Sequence, residues 1–406
     1  ENSAKLRAAY RNYANTLFTL AGYSKEEAEK AAETVISLET RIAEVSVDRN
    51  TLRDVHKNYN KMSVKDFVKK FDFIDWEIFF KETGIKNSTE LNASQLTFFE
   101  GLTRLLKKTP LEDQKTYLTF NLLSSASNYL SEDFVNANFE YYGKALQGKE
   151  ELQPLWKRSL SVVNRSLAEA FGQMYVEKYF PASSKEKMLE MVENLRTALG
   201  ERIDALEWMS QETKAKAHEK LGTFIVKVGY PDKWKDYTAL EIKNDSYWAN
   251  ICRANVFGHN EMMKDEGKPV DRTQWGMSPQ TVNAYYNPTT NEICFPAAIL
   301  NPPFFNPEAD DAVNYGGIGV VIGHEMTHGF DDQGCQFDKT GNQRNWWTAE
   351  DKANFDQRTK ILEDHFSTIE IVNGRCVNGK MTLGENIGDN GGLNISLRAM
   401  HNAMAD

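Results

Sequence analysis

Apolar positions between residue 1 and about residue 230 recur mostly every three or four residues, the period of helices that turn one face to a core. The pattern predicts long amphipathic helices over 6–20 and 24–43, the second opened by Ser24 as N-cap with Glu26 and Glu27 in its first turn. Further helices are predicted over 63–71, 94–107, 111–129, 155–179, 184–198 and 203–221, several joined through Asn, Gly or Pro, as at Pro181 and Pro231. There are no internal repeats and no low-complexity tracts. This half reads as a helix bundle and by itself carries no chemistry.

After Gly229-Tyr230-Pro231 the pattern changes. Segments rich in aromatics, Asn, Asp and Pro run to about residue 280 and read as connecting chain. Residues 282–286, a turn-like 287–291 and 293–295 then predict a β-hairpin. A loop over 296–307 leads into 314–330, an apolar run without proline that predicts a buried helix. Ile318, Ile322 and Met326 would form its core stripe, while Val321, His324, Glu325 and His328 fall on another face. Glycines 316, 317, 319 and 323 each cost such a helix roughly 1 kcal/mol against alanine, which points to close packing on another backbone or a ligand. Thr348 then caps a helix to about Phe366, a loop covers 373–380, and a last helix begins near Leu383.

Length and composition set bounds on this outline. With 406 residues the chain has room for two or three domains and a large core. The division that the pattern suggests is a helical domain over 1–230, connecting segments over 231–280 and a second domain over 281–406. The 48 basic and 58 acidic residues give a net charge of −10, and no Lys/Arg run suggests nucleic acid as a partner. No stretch of about 18 apolar residues spans a membrane, and no targeting segment is legible. The four cysteines, Cys252, Cys294, Cys335 and Cys376, form no C-x-x-C pair, which argues against a structural zinc cluster. They leave room for one disulfide, with Cys335 and Cys376 the preferred pair, or for free thiols.

The chemistry concentrates in His324-Glu325-Met326-Thr327-His328. On a helix, H-E-x-x-H sets two imidazoles one turn apart on one face, the spacing that grips a single zinc ion, with the glutamate beside the open coordination position as a base. A bare H-E-x-x-H is equally compatible with a buried helix carrying two satisfied histidines, so a third ligand decides. His218-Glu219 begins the same motif, but position 222 is glycine, and its lysine-rich, exposed-looking helix should bind nothing. Glu385 and Asp389 are four residues apart and share a helix face. One of the two would complete the ligand set, and the other would accept the remaining N–H of a ligating histidine, fixing its tautomer.

Several stretches resemble the neprilysin family of zinc metallopeptidases, M13: V-N-A-Y-Y from Val282, F-P-A-A-I-L-N-P-P-F-F from Phe295, the run from Asn314 through Asp332, and L-G-E-N-I-G-D-N-G-G-L from Leu383. Residues 53–62, 208–222 and 227–231 resemble its helical cap, so the likeness runs nearly the whole length in order. It implies a mainly α protein, with a thermolysin-like zinc domain containing a small β region and covered by a large helical cap. His324, His328 and Glu385 would hold one Zn2+ per chain, and Glu325 would activate the attacking water and pass its proton to the leaving amine. Asp389 would orient one histidine and Asp331 the other. Asn283 and Ala284 would lie on an edge strand that pairs with the substrate backbone, and Ile299, Phe304 and Val321 would line an apolar P1' pocket.

The resemblance further implies an endopeptidase acting on small peptides outside the cytoplasm. The cysteine count fits a bacterial member. Two other readings remain at this point, a catalytically silent zinc- and peptide-binding fragment and a zinc exopeptidase. Family members are longer at both ends, and their C-terminal histidine and arginine have no counterpart motif here. His365 and His401 stand in the wrong context for that role, which makes the remaining C-terminal segment, as a separate chain, an expected partner.

Overall fold

The computed structural model describes residues 2–405, the side chain of Ser183 aside. Helix makes up 62% of it and strand 6%, so the mainly α reading holds. The chain forms two compact units. One runs through Ser166 and takes in Tyr237–Pro269; the other comprises Leu167–Asp236 and the residues from Val270 onward. The units thus divide at Ser166 and exchange the 237–269 stretch, whereas the sequence pattern suggested breaks near 230 and 281.

In the first unit, helices Asn2–Leu20 and Lys25–Val45 pack through Tyr13, Ala14, Leu17 and Phe18 against Ala28, Ala31, Ala32 and Val35. The alanines at three- and four-residue spacing let the two backbones approach. Ser24 caps the second helix as predicted, in a reciprocal capping box with Glu27. A separate aromatic cluster gathers Phe67, Phe71 and Trp76. The stretch read as connecting chain contains helix Tyr247–Met263, whose His259 ring lies 2.7 Å from the Thr83 carbonyl. Just beyond it, Glu266 Oε1 accepts the backbone N–H groups of Lys86, Asn87 and Ser88 at 2.8–3.0 Å. Two long predicted helices are broken. The 155–179 run divides at Leu167 into Leu155–Ser166 and Ala168–Tyr179, and the 203–221 run begins instead as Gln211–Gly222.

The second unit is built on a three-stranded sheet with Glu292–Pro296 in the middle, Ile225–Gly229 parallel on one side and Tyr285–Asn287 antiparallel at the other edge. The predicted hairpin is there, with Tyr285 opposite Cys294. All five residues of the central strand are buried, including an ion pair between Glu292 and Lys227 at 2.8 Å. Helix Ala182–Asp204 contributes Met188, Met191, Val192, Leu195, Leu199 and Ile203 to the core at helical spacing.

The predicted buried helix is a continuous helical run in three parts, Asp311–Asn314, a widened π-helical turn Tyr315–Gly319, and Val320–His328. Ile318, Ile322 and Met326 are fully buried, as their spacing requires. Helix Ala349–Ser367, capped by Thr348, and the small hairpin of Glu370–Val372 and Arg375–Cys376 lead to helix Leu383–Ala405. All four cysteines are free, and the Cys335–Cys376 pairing does not form: Cys335 is buried and Cys376 exposed.

Candidate metal centre

Helices Val320–His328 and Leu383–Ala405 meet glycine to glycine. A Cβ on Gly323 would stand 2.9 Å from the Gly392 Cα, and one on Gly392 would stand 2.5 Å from the Val320 carbonyl oxygen. No side chain fits in that gap, which explains the glycine in the middle of an otherwise apolar helix. Gly317 and Gly319 likewise face the Phe304 carbonyl oxygen and the Ser396 hydroxyl, while Gly316 borders open space.

This crossing brings Glu385 to the two histidines. Glu385 Oε2 lies 3.3 Å from His324 Nε2 and 3.8 Å from His328 Nε2, and the three ligand atoms are all within 4.8 Å of one another. A tetrahedral ion with bonds of about 2.0–2.1 Å sets its ligand atoms roughly 3.4 Å apart. Two nitrogens and one carboxylate oxygen at this spacing therefore fit zinc with a fourth position open.

The far side of each imidazole is held by a carboxylate. His324 Nδ1 lies 2.9 Å from Asp389 Oδ1, and His328 Nδ1 lies 2.7 Å from Asp331 Oδ2. With both Nδ1–H groups donating outward, each Nε2 lone pair points to the shared site. Asp331 is fixed in turn, since its Oδ1 accepts the N–H groups of Gln333 and Gly334 at 2.8 and 2.6 Å. Gly388 lies beneath the His324 ring, where a Cβ would meet the ring at 2.8 Å. Burial opposes protonation of His328, but the bond and the charge of Asp331 outweigh it and raise the imidazole pKa.

Glu325 is 7% exposed and faces the same site. Burial pushes its carboxyl up to about 7; His328 pulls down, and the charge of Glu385 adds to the rise. A carboxyl poised there can hold or release a proton near neutrality.

The remaining predicted positions are placed less tightly. Asn283 and Ala284 precede the edge strand rather than lie on it; Asn283 is exposed, and its Oδ1 accepts the Ala284 N–H at 2.9 Å. Ile299 is buried in the core, with Phe304 and Val321 partly buried against the same cluster. His218 and Glu219 are spent on Asp204 and Lys339, as expected of a motif without its second histidine. Their helix is not exposed, however: Lys214 and Lys220 are both buried. Lys220 is the residue near the site that sequence reasoning missed. The one available signal was its place three residues after Ala217, on the apolar side of that helix.

Two imidazoles and a carboxylate, each imidazole braced from behind, form the centre of an H-E-x-x-H metallohydrolase. Comparison with known proteins agrees. Residues 1–231 and 283–406 match the two models of peptidase family M13, and the chain belongs to this family. It is 35% identical to mouse endothelin-converting enzyme-like 1 over 98% of its own length and 52% of that protein. It is also 34% identical to human endothelin-converting enzyme 1, covering 98% of this chain and 53% of the relative. The chain therefore spans about half the length of the curated relatives it matches.

Among solved structures, the inhibitor complex of the Mycobacterium tuberculosis zinc metalloprotease Zmp1 superposes with a TM-score of 0.95 at 38% identity, covering 100% of this chain and 63% of that one. PepO from Lactobacillus rhamnosis superposes with a TM-score of 0.92 at 30% identity, over 98% of this chain and 63% of its own.

Proposed function

We propose that the protein is a zinc-dependent endopeptidase of small peptides that favours an apolar residue at P1'. The observation that carries this reading is the convergence of His324 Nε2, His328 Nε2 and Glu385 Oε2 beside the buried Glu325. Family membership supports the reaction class, and the apolar Ile299, Phe304 and Val321 support the P1' preference.

A zinc ion held by His324, His328 and Glu385 would supply Lewis acidity, polarising the scissile carbonyl and bringing the pKa of a water to about 7. The protein's own residues manage protons and position. Glu325 takes a proton from the attacking water and returns it to the leaving amine nitrogen, work suited to a carboxyl held near neutrality. Asp389 and Asp331 keep both imidazoles in the tautomer that directs Nε2 inward. The exposed backbone around Asn283 and Ala284, at the mouth of the edge strand, offers hydrogen bonds to an extended peptide. Among the described residues no helix is long and apolar enough to cross a membrane. Action outside the cytoplasm, and completion of the site by a further C-terminal segment, belong to the same reading.

The test is hydrolysis of an internally quenched peptide, blocked at both ends and carrying a central Phe or Leu, before and after chelation and by Glu325→Gln. Zinc-dependent cleavage, lost in Glu325→Gln with the metal retained, is the expected result. Zinc binding without cleavage identifies a binding fragment that needs further chain, cleavage only of unblocked peptides identifies an exopeptidase, and absence of zinc overturns the site.

A further inference from the structure

Lys220 is 1% exposed, and its ammonium donates all three of its hydrogens to main-chain carbonyls: Gly329 at 2.6 Å, Gly334 at 2.7 Å and Phe337 at 2.7 Å. The rings of Tyr286, Phe330 and Trp346 surround it with centroids 5.6–5.9 Å away. A buried ammonium is costly unless every donor is satisfied and opposite charge lies near. Here the acceptors all come from one turn, residues 329–337, immediately after the H-E-x-x-H helix.

That turn carries Asp331. Its carboxylate accepts the N–H of Gly334, whose carbonyl is one of the three bound by Lys220, and takes the His328 Nδ1–H on its other oxygen. Lys220, the turn, Asp331 and His328 thus form one continuous chain of polar contacts ending at an imidazole of the metal centre. The field of Asp331 also acts on the ammonium, opposing the burial that brings the Lys220 pKa down to about 8. Asn291 ties the lysine's own carbonyl to the sheet through Nδ2 at 3.1 Å, so the anchor is itself fixed.

We infer that Lys220 is a positioning residue of the metal centre, holding the 329–337 turn so that Asp331 presents His328 with Nε2 directed at the ion. This rests on the proposed zinc site, and it acts through Asp331 rather than by touching metal or substrate.

The experiment measures zinc affinity by competition with a chromogenic chelator for wild type, Lys220→Met, Asp331→Ala and the double variant. Asp351→Asn, which weakens a distant helix cap of the same unit, serves as the stability control. Loss of a carboxylate behind a ligating histidine typically weakens a metal site on the order of 10- to 100-fold. Lys220→Met should fall in that range, the double variant should be little worse than Asp331→Ala alone, and Asp351→Asn should bind zinc like wild type. Wild-type affinity in folded Lys220→Met, or full additivity with Asp331→Ala, would overturn the inference.

A second readout needs no metal. In protein labelled with 15N-histidine, the His328 Nδ1–H signal, assigned by its loss in Asp331→Ala, should broaden or vanish in Lys220→Met, and its persistence unchanged counts against the proposal. If wild type binds no zinc, the site reading fails while this signal still decides the role of Lys220. Should Lys220→Met not fold, Lys220→Gln, which retains two donors, carries both measurements.

Discussion

Asp389 Oδ1 stands 2.9 Å from His324 Nδ1, although 65 residues separate the two in the chain. The contact depends on the crossing at Gly323 and Gly392, because only there does the Leu383–Ala405 helix come close enough for Glu385 and Asp389 to reach one imidazole from two sides. Asp389→Ala should therefore leave the ligand set intact but free the His324 ring to turn. Zinc affinity, measured against a competing chelator, is expected to fall roughly 10- to 100-fold, with little change in thermal stability of the metal-free protein.

Gly392→Ala tests the crossing itself. The added methyl would meet the Val320 carbonyl oxygen at 2.5 Å and the His324 nitrogen at 2.8 Å, both backbone atoms that cannot swing aside. Overpacking of this kind costs about 1–3 kcal/mol. The expected outcome is a lowered urea midpoint together with weaker zinc binding, since the helices move apart as a pair. Unchanged zinc affinity would show that Glu385 reaches the histidines without this contact.

Metal removal should lower stability by linkage. An ion that binds only the folded state at one hundred times its dissociation constant adds roughly 2.7 kcal/mol. Calorimetry with and without a chelator should show a lower transition temperature for the metal-free protein, and the difference should shrink in His328→Ala.

Asp351 predicts part of the acid limb. Burial would raise its carboxyl, but the hydroxyls of Ser210, Thr213 and Thr348 and the Ser210 N–H hold it down to about 2. A carboxyl lowered in the folded state stabilises above its unfolded pKa of about 3.9 and loses that contribution as pH falls towards 2. At neutral pH the contribution is on the order of 2 kcal/mol. Asp351→Asn should thus be less stable than wild type at pH 7 in urea titrations, and the gap should close between about pH 4 and pH 2.

The metal centre was largely legible in the sequence because its parts obey helical periods. His324 and His328 are one turn apart, Glu385 and Asp389 are one turn apart, and Ile318, Ile322 and Met326 mark the buried face. What escaped has identifiable causes. Helix Tyr247–Met263 buries only Ile251 and Phe257, so its apolar period is too sparse to read. The break at Leu167 has neither glycine nor proline to mark it. Strand Ile225–Gly229 is paired in parallel with a strand 67 residues later, a partnership that local pattern does not encode. Lys220 was read as surface because a lysine in an amphipathic helix usually is; only the three carbonyls that converge on it, from more than 100 residues away, show otherwise.

The first unit is not one stretch of chain. Its last helix, ending at Met263, is made 97 residues after Ser166 leaves the ribosome. At about 5–20 residues per second, the early helices wait roughly 5–20 s for that piece. During that interval the Thr83 carbonyl has no His259 ring beside it, and the N–H groups of Lys86, Asn87 and Ser88 have no Glu266 carboxylate. The nascent protein must therefore carry an unfinished unit through the synthesis of part of its neighbour. Slowing translation between codons 167 and 263 lengthens the period in which that unfinished surface is open to holding chaperones or to aggregation.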